Sequence, residues 1–315
     1  MAMEYRRLGG TRLDASVIGF GCNRIGLDPS PDVRREVVAT LEQAFAQGIN
    51  LFDTANSYRG SERLLGRVFR SRRHEVLICS KAGYRSWRLV AMERVLPRPF
   101  ELVQRLRPAR RPGPGGTTAR IRARNFDPRL IRLGVEGSLR RLATNYLDIF
   151  YLHSPPAEVV ADDRVLETLQ RLQEEGSIRH YGISFSERAT SDEVMAAMQR
   201  PGMAVIQLRA NPLVSVDLER IGTRARELRI AIVARQAFER GRVFGSATVL
   251  TALAGQAPRT PAQAILRSVL QRPGVASVLV GMRTRRHLDE NVDALAAPSL
   301  DADELQRLYA TTRIL

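Results

Sequence analysis

Apolar residues in this chain follow two rhythms that take turns. Short unbroken apolar runs, such as Leu147 to Leu152 and Val275 to Val280, alternate with longer stretches whose apolar positions recur every three or four residues. An unbroken run bounded by turn residues reads as a strand buried on both faces, and the three-to-four spacing reads as a helix with one apolar stripe. Strands are expected at residues 16–20, 49–52, 75–80, 147–152, 179–184, 204–208, 231–234 and 275–280. Helices are expected at 32–47, from a Ser61 cap through Val68, and at 127–142, 162–175, 191–200, 217–228, 261–271, 285–295 and 301–309. The residues before the first strand read as a short lead, and those between the seventh strand and its helix as a loop.

Eight strand-then-helix units with unalternated strands imply a parallel α/β sheet, and eight such units closing on themselves make a (β/α)8 TIM barrel with an extra C-terminal helix. A doubly wound open sheet is the rival. It would carry a G-x-G-x-x-G turn opening directly into a helix after its first strand. Here Gly19-Phe20-Gly21-Cys22-Asn23-Arg24 lacks the third glycine.

One stretch breaks the alternation. Residues 85–127, after the third strand, hold five prolines, a Gly113/Gly115/Gly116 cluster, many arginines and Trp87, the only tryptophan. A loop of that length inside a barrel domain is either a functional lid or a solvated segment. Its positive charge suggests an acidic or phosphorylated substrate.

Composition adds less. The 315 residues are 44% hydrophobic and 26% charged, ordinary for a globular chain, and a single barrel domain over 1–315 is expected. The formal charge of +16 raises a nucleic-acid reading. The arginines are spread along the chain, often beside acids, aromatics are only 6%, and no zinc-finger or RNA-recognition signature accompanies them, so no specific nucleic-acid partner is expected. Cys22 and Cys79 lie far apart, offer neither a disulfide framework nor a metal knuckle, and suit a reducing cytosol. The N-terminus shows no apolar signal core, and no run approaches the roughly 18 apolar residues of a membrane helix, so a soluble cytoplasmic protein is expected.

The candidate chemistry starts from Lys81, the only lysine among 49 lysines and arginines. An ammonium is a compact point charge with a movable pKa, whereas guanidinium is a planar fork fixed in its charge. Asp53, Lys81 and His153 end the second, third and fourth strands, and strand ends of a barrel open onto one rim. Tyr58 follows Asp53 by five residues, close enough to return to the same mouth. Together they suggest proton donation by a phenol. A tyrosine has a pKa near 10, and a neighbouring ammonium lowers it by roughly 1–3 units. A carboxylate keeps that ammonium charged, and a neutral imidazole orients a substrate oxygen. Taken singly, each residue has a plainer explanation: a helix cap, a loop aromatic, a satisfied core histidine.

These residues sit within longer matches. Phe52-Asp53-Thr54-Ala55-Asn56-Ser57-Tyr58 runs into Ser61-Glu62 and Leu64-Leu65-Gly66; then come Ile78-Cys79-Ser80-Lys81, Ser138-Leu139-Arg140-Arg141-Leu142, Tyr146-Leu147-Asp148 and Tyr151-Leu152-His153. Gly176-Ser177-Ile178-Arg179, Gly182-Ile183-Ser184, Gly281-Met282-Arg283 and Glu290-Asn291 follow. In this order and spacing the chain resembles the aldo-keto reductases over nearly its whole length. The resemblance implies a barrel that binds NADPH, with NAD as the alternative, and reduces an aldehyde or ketone to an alcohol or runs the reverse. By position, Tyr58 would be the general acid, Lys81 would tune it, Asp53 would hold Lys81, and His153 would position the carbonyl. Gly21, Cys22 and Asn23 would border the cofactor, Ser184 and Gln207 would meet the nicotinamide carboxamide, and Arg235, Phe238 and Gly241 would lie along the pyrophosphate. Gly281, Met282, Arg283, Thr284, His287, Glu290 and Asn291 would hold the adenosine end. Three departures stand out: Phe185 replaces an asparagine, Arg235-Gln236-Ala237-Phe238 replaces an aromatic with Ser-Pro-Leu, and His287 replaces an arginine. Arg283, Arg285 and Arg286 offer forks for a 2′-phosphate instead. A cofactor-binding regulatory subunit with little turnover is the alternative function.

Overall fold

A computed structural model describes residues 2–26, 30–84, 124–214, 217–253 and 259–310. Most of the loop expected at 85–127, with Trp87, lies outside them. Eight parallel strands close into a barrel: β3 (Ile18–Gly21), β4 (Leu51–Asp53), β5 (Leu77–Ala82), β6 (Leu147–His153), β7 (Ile178–Ser184), β8 (Met203–Arg209), β9 (Ala231–Arg235) and β10 (Val275–Val280), with β10 pairing back onto β3. The (β/α)8 barrel read from the alternation is therefore the fold. The strands are mostly apolar because both faces are covered. Leu51, Cys79, Ile149, Tyr151, Val205, Val233 and Leu279 fill the barrel interior. The opposite strand faces, including Phe52, Ile78, Phe150, Ile206 and Val278, belong to the larger layer shared with the helices.

Three expectations need correction. The lead is an antiparallel hairpin, β1 (Tyr5–Arg7) with β2 (Asp14–Ser16), and the expected first strand divides between β2 and β3 at Val17. The hairpin turn sends Leu8 and Leu13 into the interior cluster, and Gly10 N–H donates to the Arg229 carbonyl just before β9. It thus plugs the N-terminal end of the barrel. A plug of a few residues has no room for periodicity, which is why pattern alone missed it. The loop after β9 contains a 3₁₀ segment (Glu239–Gly245) and a short helix (Ala247–Leu253). Ser61 is not a cap. Gly60 precedes the helix α1 (Ser61–Val68) in a left-handed conformation, φ 72°, and makes no side-chain cap.

The remaining helices lie close to expectation. Asp127 caps the helix α2 (Pro128–Leu142) by accepting from Arg129 N–H, and Pro128 suits its first position. Its buried face centres on Ile131, Gly134, Val135 and Ser138, with Leu130 and Leu133 only partly covered. A helix from Arg285 to Asp293, capped by Thr284, follows β10, and one from Ala302 to Ala310 comes after it.

Candidate active site

The barrel register brings the sequence candidates to one rim. Gly21 pairs with Asp53 across β3 and β4, His153 with Ser184 across β6 and β7, and Ser184 with Gln207 across β7 and β8. Arg209 pairs with Arg235 across β8 and β9. All stand at or near the C-terminal ends of their strands, and Lys81 is the penultimate residue of β5.

Lys81 is sealed from solvent, at 1% exposure. Its ammonium donates to Asp53 Oδ2 and to the Thr54 carbonyl at 3.0 Å. Asp53 Oδ1 accepts from Gln207 Nε2 at 2.6 Å, so the carboxylate is held from two sides. Two of the three ammonium protons are committed, and Nζ lies 5.1 Å from the centre of the Tyr58 ring. Burial alone opposes the Lys81 charge, but Asp53, then Tyr58, outweigh it and raise its pKa.

Tyr58 is placed by a turn rather than by a strand. Its N–H donates to the Ala55 carbonyl at 3.0 Å, and its carbonyl accepts from Ser61 Oγ at 2.8 Å and Ser61 N–H at 3.2 Å. The serine expected to cap a helix thus pins the turn, with its hydroxyl also 2.5 Å from Thr54 Oγ. Gly26 presses on the same turn: a Cβ there would stand 1.8 Å from the Arg59 carbonyl oxygen.

The phenol's titration corrects the sequence expectation. Lys81 does pull the Tyr58 pKa down, and Arg235 helps, but burial acts first in the opposite sense and Asp53 adds to it. The net direction is upward, so Tyr58 is a neutral phenol at pH 7. His153 faces it edge-on with ring centres 6.0 Å apart. Burial, then Lys81, Arg235 and Arg124, push the His153 pKa well below its ordinary value, so the imidazole is neutral, as expected.

Other candidates divide by place. Ser184 is buried, and its hydroxyl makes no hydrogen bond among the described residues. Gln207 Oε1 is a buried acceptor without a partner. Cys22 is buried, its N–H donates to the Asp53 carbonyl at 2.8 Å, and Asn23 beside it is exposed. Gly241, φ 94°, and Gly281 both border open space, with nothing within 4 Å of an added Cβ. Met282 and Asn291 are buried, whereas Arg283, Arg285, Arg286 and His287 stand exposed around the helix start and Glu290 is partly covered. Phe185 turns into the core, and its carbonyl accepts from Arg235 Nη2. Arg235 therefore reaches toward the mouth, where Tyr58 and Asp53 feel its charge. Phe238 packs instead against Phe244, 5.4 Å between centres.

The sequence reading missed three contributors. Tyr84 stands edge-on against His153 at 4.4 Å and places its hydroxyl 3.4 Å from Ser154 Oγ. An aromatic three residues past the lysine was the available signal. Arg124 donates to the Ser154 carbonyl. Gly26 carried no signal, since its role depends on a turn more than thirty residues away in the chain.

The sequence profile described as the Aldo/keto reductase family matches residues 17–312. An uncharacterized oxidoreductase of Bacillus subtilis, YqkF, is 28% identical, covering 99% of this chain and 97% of its own. A probable aldo-keto reductase 1 of Glycine max is 25% identical, with coverages of 98% and 88%. Among solved structures, aldo-keto reductase AKR11C1 from Bacillus halodurans in its holo form superposes with a TM-score of 0.74 at 25% identity, over 98% of this chain and 96% of that one. A barrel with chemistry gathered on its C-terminal rim defines the enzyme class, and this chain belongs to the aldo-keto reductase family. It is an NAD(P)-dependent oxidoreductase by that membership. Among the described residues no helix is long and apolar enough to cross a membrane.

Proposed function

We propose that this enzyme interconverts an aldehyde or ketone and its alcohol, with NADPH as the redox partner and Tyr58 as the proton donor. The observation that carries this reading is the sealed Lys81 ammonium, bound to Asp53 and set against the Tyr58 ring. A buried charge held this way has a cost that a purely structural site would avoid.

The rim fits a dinucleotide. The unpartnered Gln207 Oε1 and the free Ser184 hydroxyl suit a carboxamide, one accepting and the other able to donate. Open space at Gly241 and Gly281 admits close backbone approach, and Thr284 starts a helix whose N-terminal end favours phosphate. Arg283, Arg285 and Arg286 supply forks for a 2′-phosphate, which favours NADPH over NADH. When bound, the nicotinamide supplies the hydride.

The chain's own residues handle the proton. The Tyr58 hydroxyl donates to the substrate oxygen while negative charge builds there, and His153, neutral, adds a second contact that orients the carbonyl. A raised phenol pKa does not prevent this transfer. An alkoxide is about as basic as hydroxide, so the phenol remains the far stronger acid. Lys81 then stabilises the phenolate at the moment it forms, and Asp53 keeps Lys81 charged and in place.

The test is NADPH consumption against a panel of aldehydes and ketones, with Tyr58→Phe alongside wild type. Loss of a general acid lowers kcat/KM by about 10²–10⁴, while NADPH affinity stays as in wild type. An unchanged rate would remove Tyr58 from its role. Tight NADPH binding without turnover on any substrate would instead favour a cofactor-binding regulatory subunit.

A further inference from the structure

A second concentration of charge lies at the other end of the barrel. A cavity of about 620 Å³ opens beside the β1–β2 hairpin and is bordered by the starts of β9 and β10. Six arginines line it: Arg6, Arg7, Arg226, Arg229, Arg267 and Arg272. Among the described residues, Glu4 is the one acid in its wall. Three of the arginines have partners. Arg6 pairs with Glu4 at 2.8 Å, Arg7 with Asp14, and Arg272 with Glu219 at a loose 3.5 Å. Arg226, Arg229 and Arg267 make no ion pair among the described residues. The Nε atoms of Arg267 and Arg272 are both enclosed with no acceptor.

Helix ends account for part of this charge. The helices Leu218–Glu227 and Pro261–Leu270 both finish beside the cavity. Each C-terminus carries about half a negative charge, so the two together balance about one arginine and leave about two positive charges uncompensated. The frame that holds those charges is fixed. Arg6 Nη1 donates to the Leu270 carbonyl at 2.8 Å and the Val275 carbonyl at 2.9 Å, and Arg267 Nη2 donates to Ser299 Oγ. Arg272 lies over the Tyr309 ring at 3.8 Å. Arg229 occupies the left-handed position that ends its helix, φ 55°, where glycine is the usual residue. The Arg229 N–H donates to the Arg226 carbonyl at 3.1 Å and the Ile230 N–H to the Ala225 carbonyl at 2.8 Å. Its own carbonyl accepts from Gly10 N–H at 2.6 Å, and a Cβ on Gly9 would stand 2.2 Å from that oxygen. An arginine in a glycine's place, clamped against the hairpin, is accounted for by what its side chain meets in the cavity.

We propose that this cavity is a binding site for a phosphate dianion, carried by a small phosphate monoester or free in solution, held by Arg226, Arg229 and Arg267. A phosphoryl group carries about 1.5–2 negative charges at pH 7, which matches the uncompensated charge. Guanidinium forks suit its oxygens, and the cavity has the volume of a small-molecule pocket, with room for the body of a monoester. The site is separate from the catalytic rim, so it stands whether or not Tyr58 is the proton donor. A ligand there touches the hairpin, the starts of β9 and β10 and the ends of two helices at once, so its binding raises the stability of the fold.

The experiment titrates glucose 6-phosphate, inorganic phosphate and glucose calorimetrically into the full chain at constant ionic strength, with NADP present in excess to fill phosphate sites on the C-terminal rim. Glucose 6-phosphate or phosphate is expected to bind one per chain and to raise Tm, and glucose to do neither. Arg267→Gln and Arg229→Asn, the latter chosen because asparagine tolerates the left-handed backbone, should each weaken binding by at least about 10-fold. Arg267→Lys should recover part of the loss, and Arg132→Gln, which removes the same charge from a distant ion pair, should change nothing. A tighter monoester makes the phosphorylated molecule the ligand, and equal affinities make it free phosphate; either supports the site. Absence of binding by both overturns it. So does equal weakening in Arg132→Gln, which would reduce the effect to net charge. Phenylglyoxal modification of the wild-type chain, read by mass spectrometry, decides the matter without variants. Arg226 and Arg229 are exposed and should be protected by glucose 6-phosphate or phosphate, whereas modification indifferent to both would refute the proposal.

Discussion

Tyr58 is pulled both ways, down by Lys81 and up by burial and Asp53, and burial prevails. The acid is therefore present in its protonated form across the neutral range. Its contribution is complete at lower pH and is lost as pH rises through the phenol's raised pKa. His153 is neutral down to well below its ordinary value, so it adds no break near pH 6.5. A pH profile of kcat/KM for carbonyl reduction should be level from about pH 6 to 9 and fall on the alkaline side. An inflection near 6.5 would mean that His153 titrates and that its surroundings are wetter than described. At this scale the participants were legible in the sequence, because a solitary lysine and a strand-ending histidine are rare and visible. The direction of the phenol's shift was not, because desolvation depends on atoms gathered from the whole rim.

Turns and strands locate these residues. The Tyr58 turn is pinned from within by Ser61 and from outside by Gly26. Gly26→Ala would drive a methyl group into the Arg59 carbonyl and displace the turn. The expected outcome is a kcat lowered by about 10-fold or more with NADPH affinity held near wild type, since a displacement of about 1 Å can cost 10²-fold. Stopped-flow turnover and cofactor titration separate the two. Gly182 does similar service between strands: a Cβ there would stand 1.8 Å from the Val205 carbonyl oxygen, where the β7–β8 register shifts before Ser184 meets Gln207. Neither glycine's neighbour could be read from local sequence. The helices could, because caps such as Asp127 and Thr284 act on residues two or three positions away.

For the molecule as a whole, the barrel has two ends with different duties. The C-terminal rim carries the polar groups, and the opposite end is closed by the β1–β2 hairpin. Leu8 is fully buried there among the interior residues. Leu8→Ala should cost about 2–5 kcal/mol of stability, measured by denaturant unfolding, while activity below the transition stays close to wild type. A cost below about 1 kcal/mol would mean that the hairpin only covers the barrel without sealing it. Among the described residues many arginines away from the rim pair with nearby acids, as in Arg132 with Glu175 and Arg224 with Glu227.

The sequence by itself determined the eight strand-then-helix units of the barrel, their order, and that Asp53, Lys81 and His153 stand at or next to strand ends. Those follow from spacing along the chain, through a period of 3.6 for helices and unbroken apolar runs for strands doubly covered. Only the tertiary structure decided which groups share an environment: that burial outweighs Lys81 at Tyr58, and that Ser61 serves a turn rather than a helix. Solvation and charge pairing depend on distance through space, and barrel closure brings together residues that lie far apart in the chain.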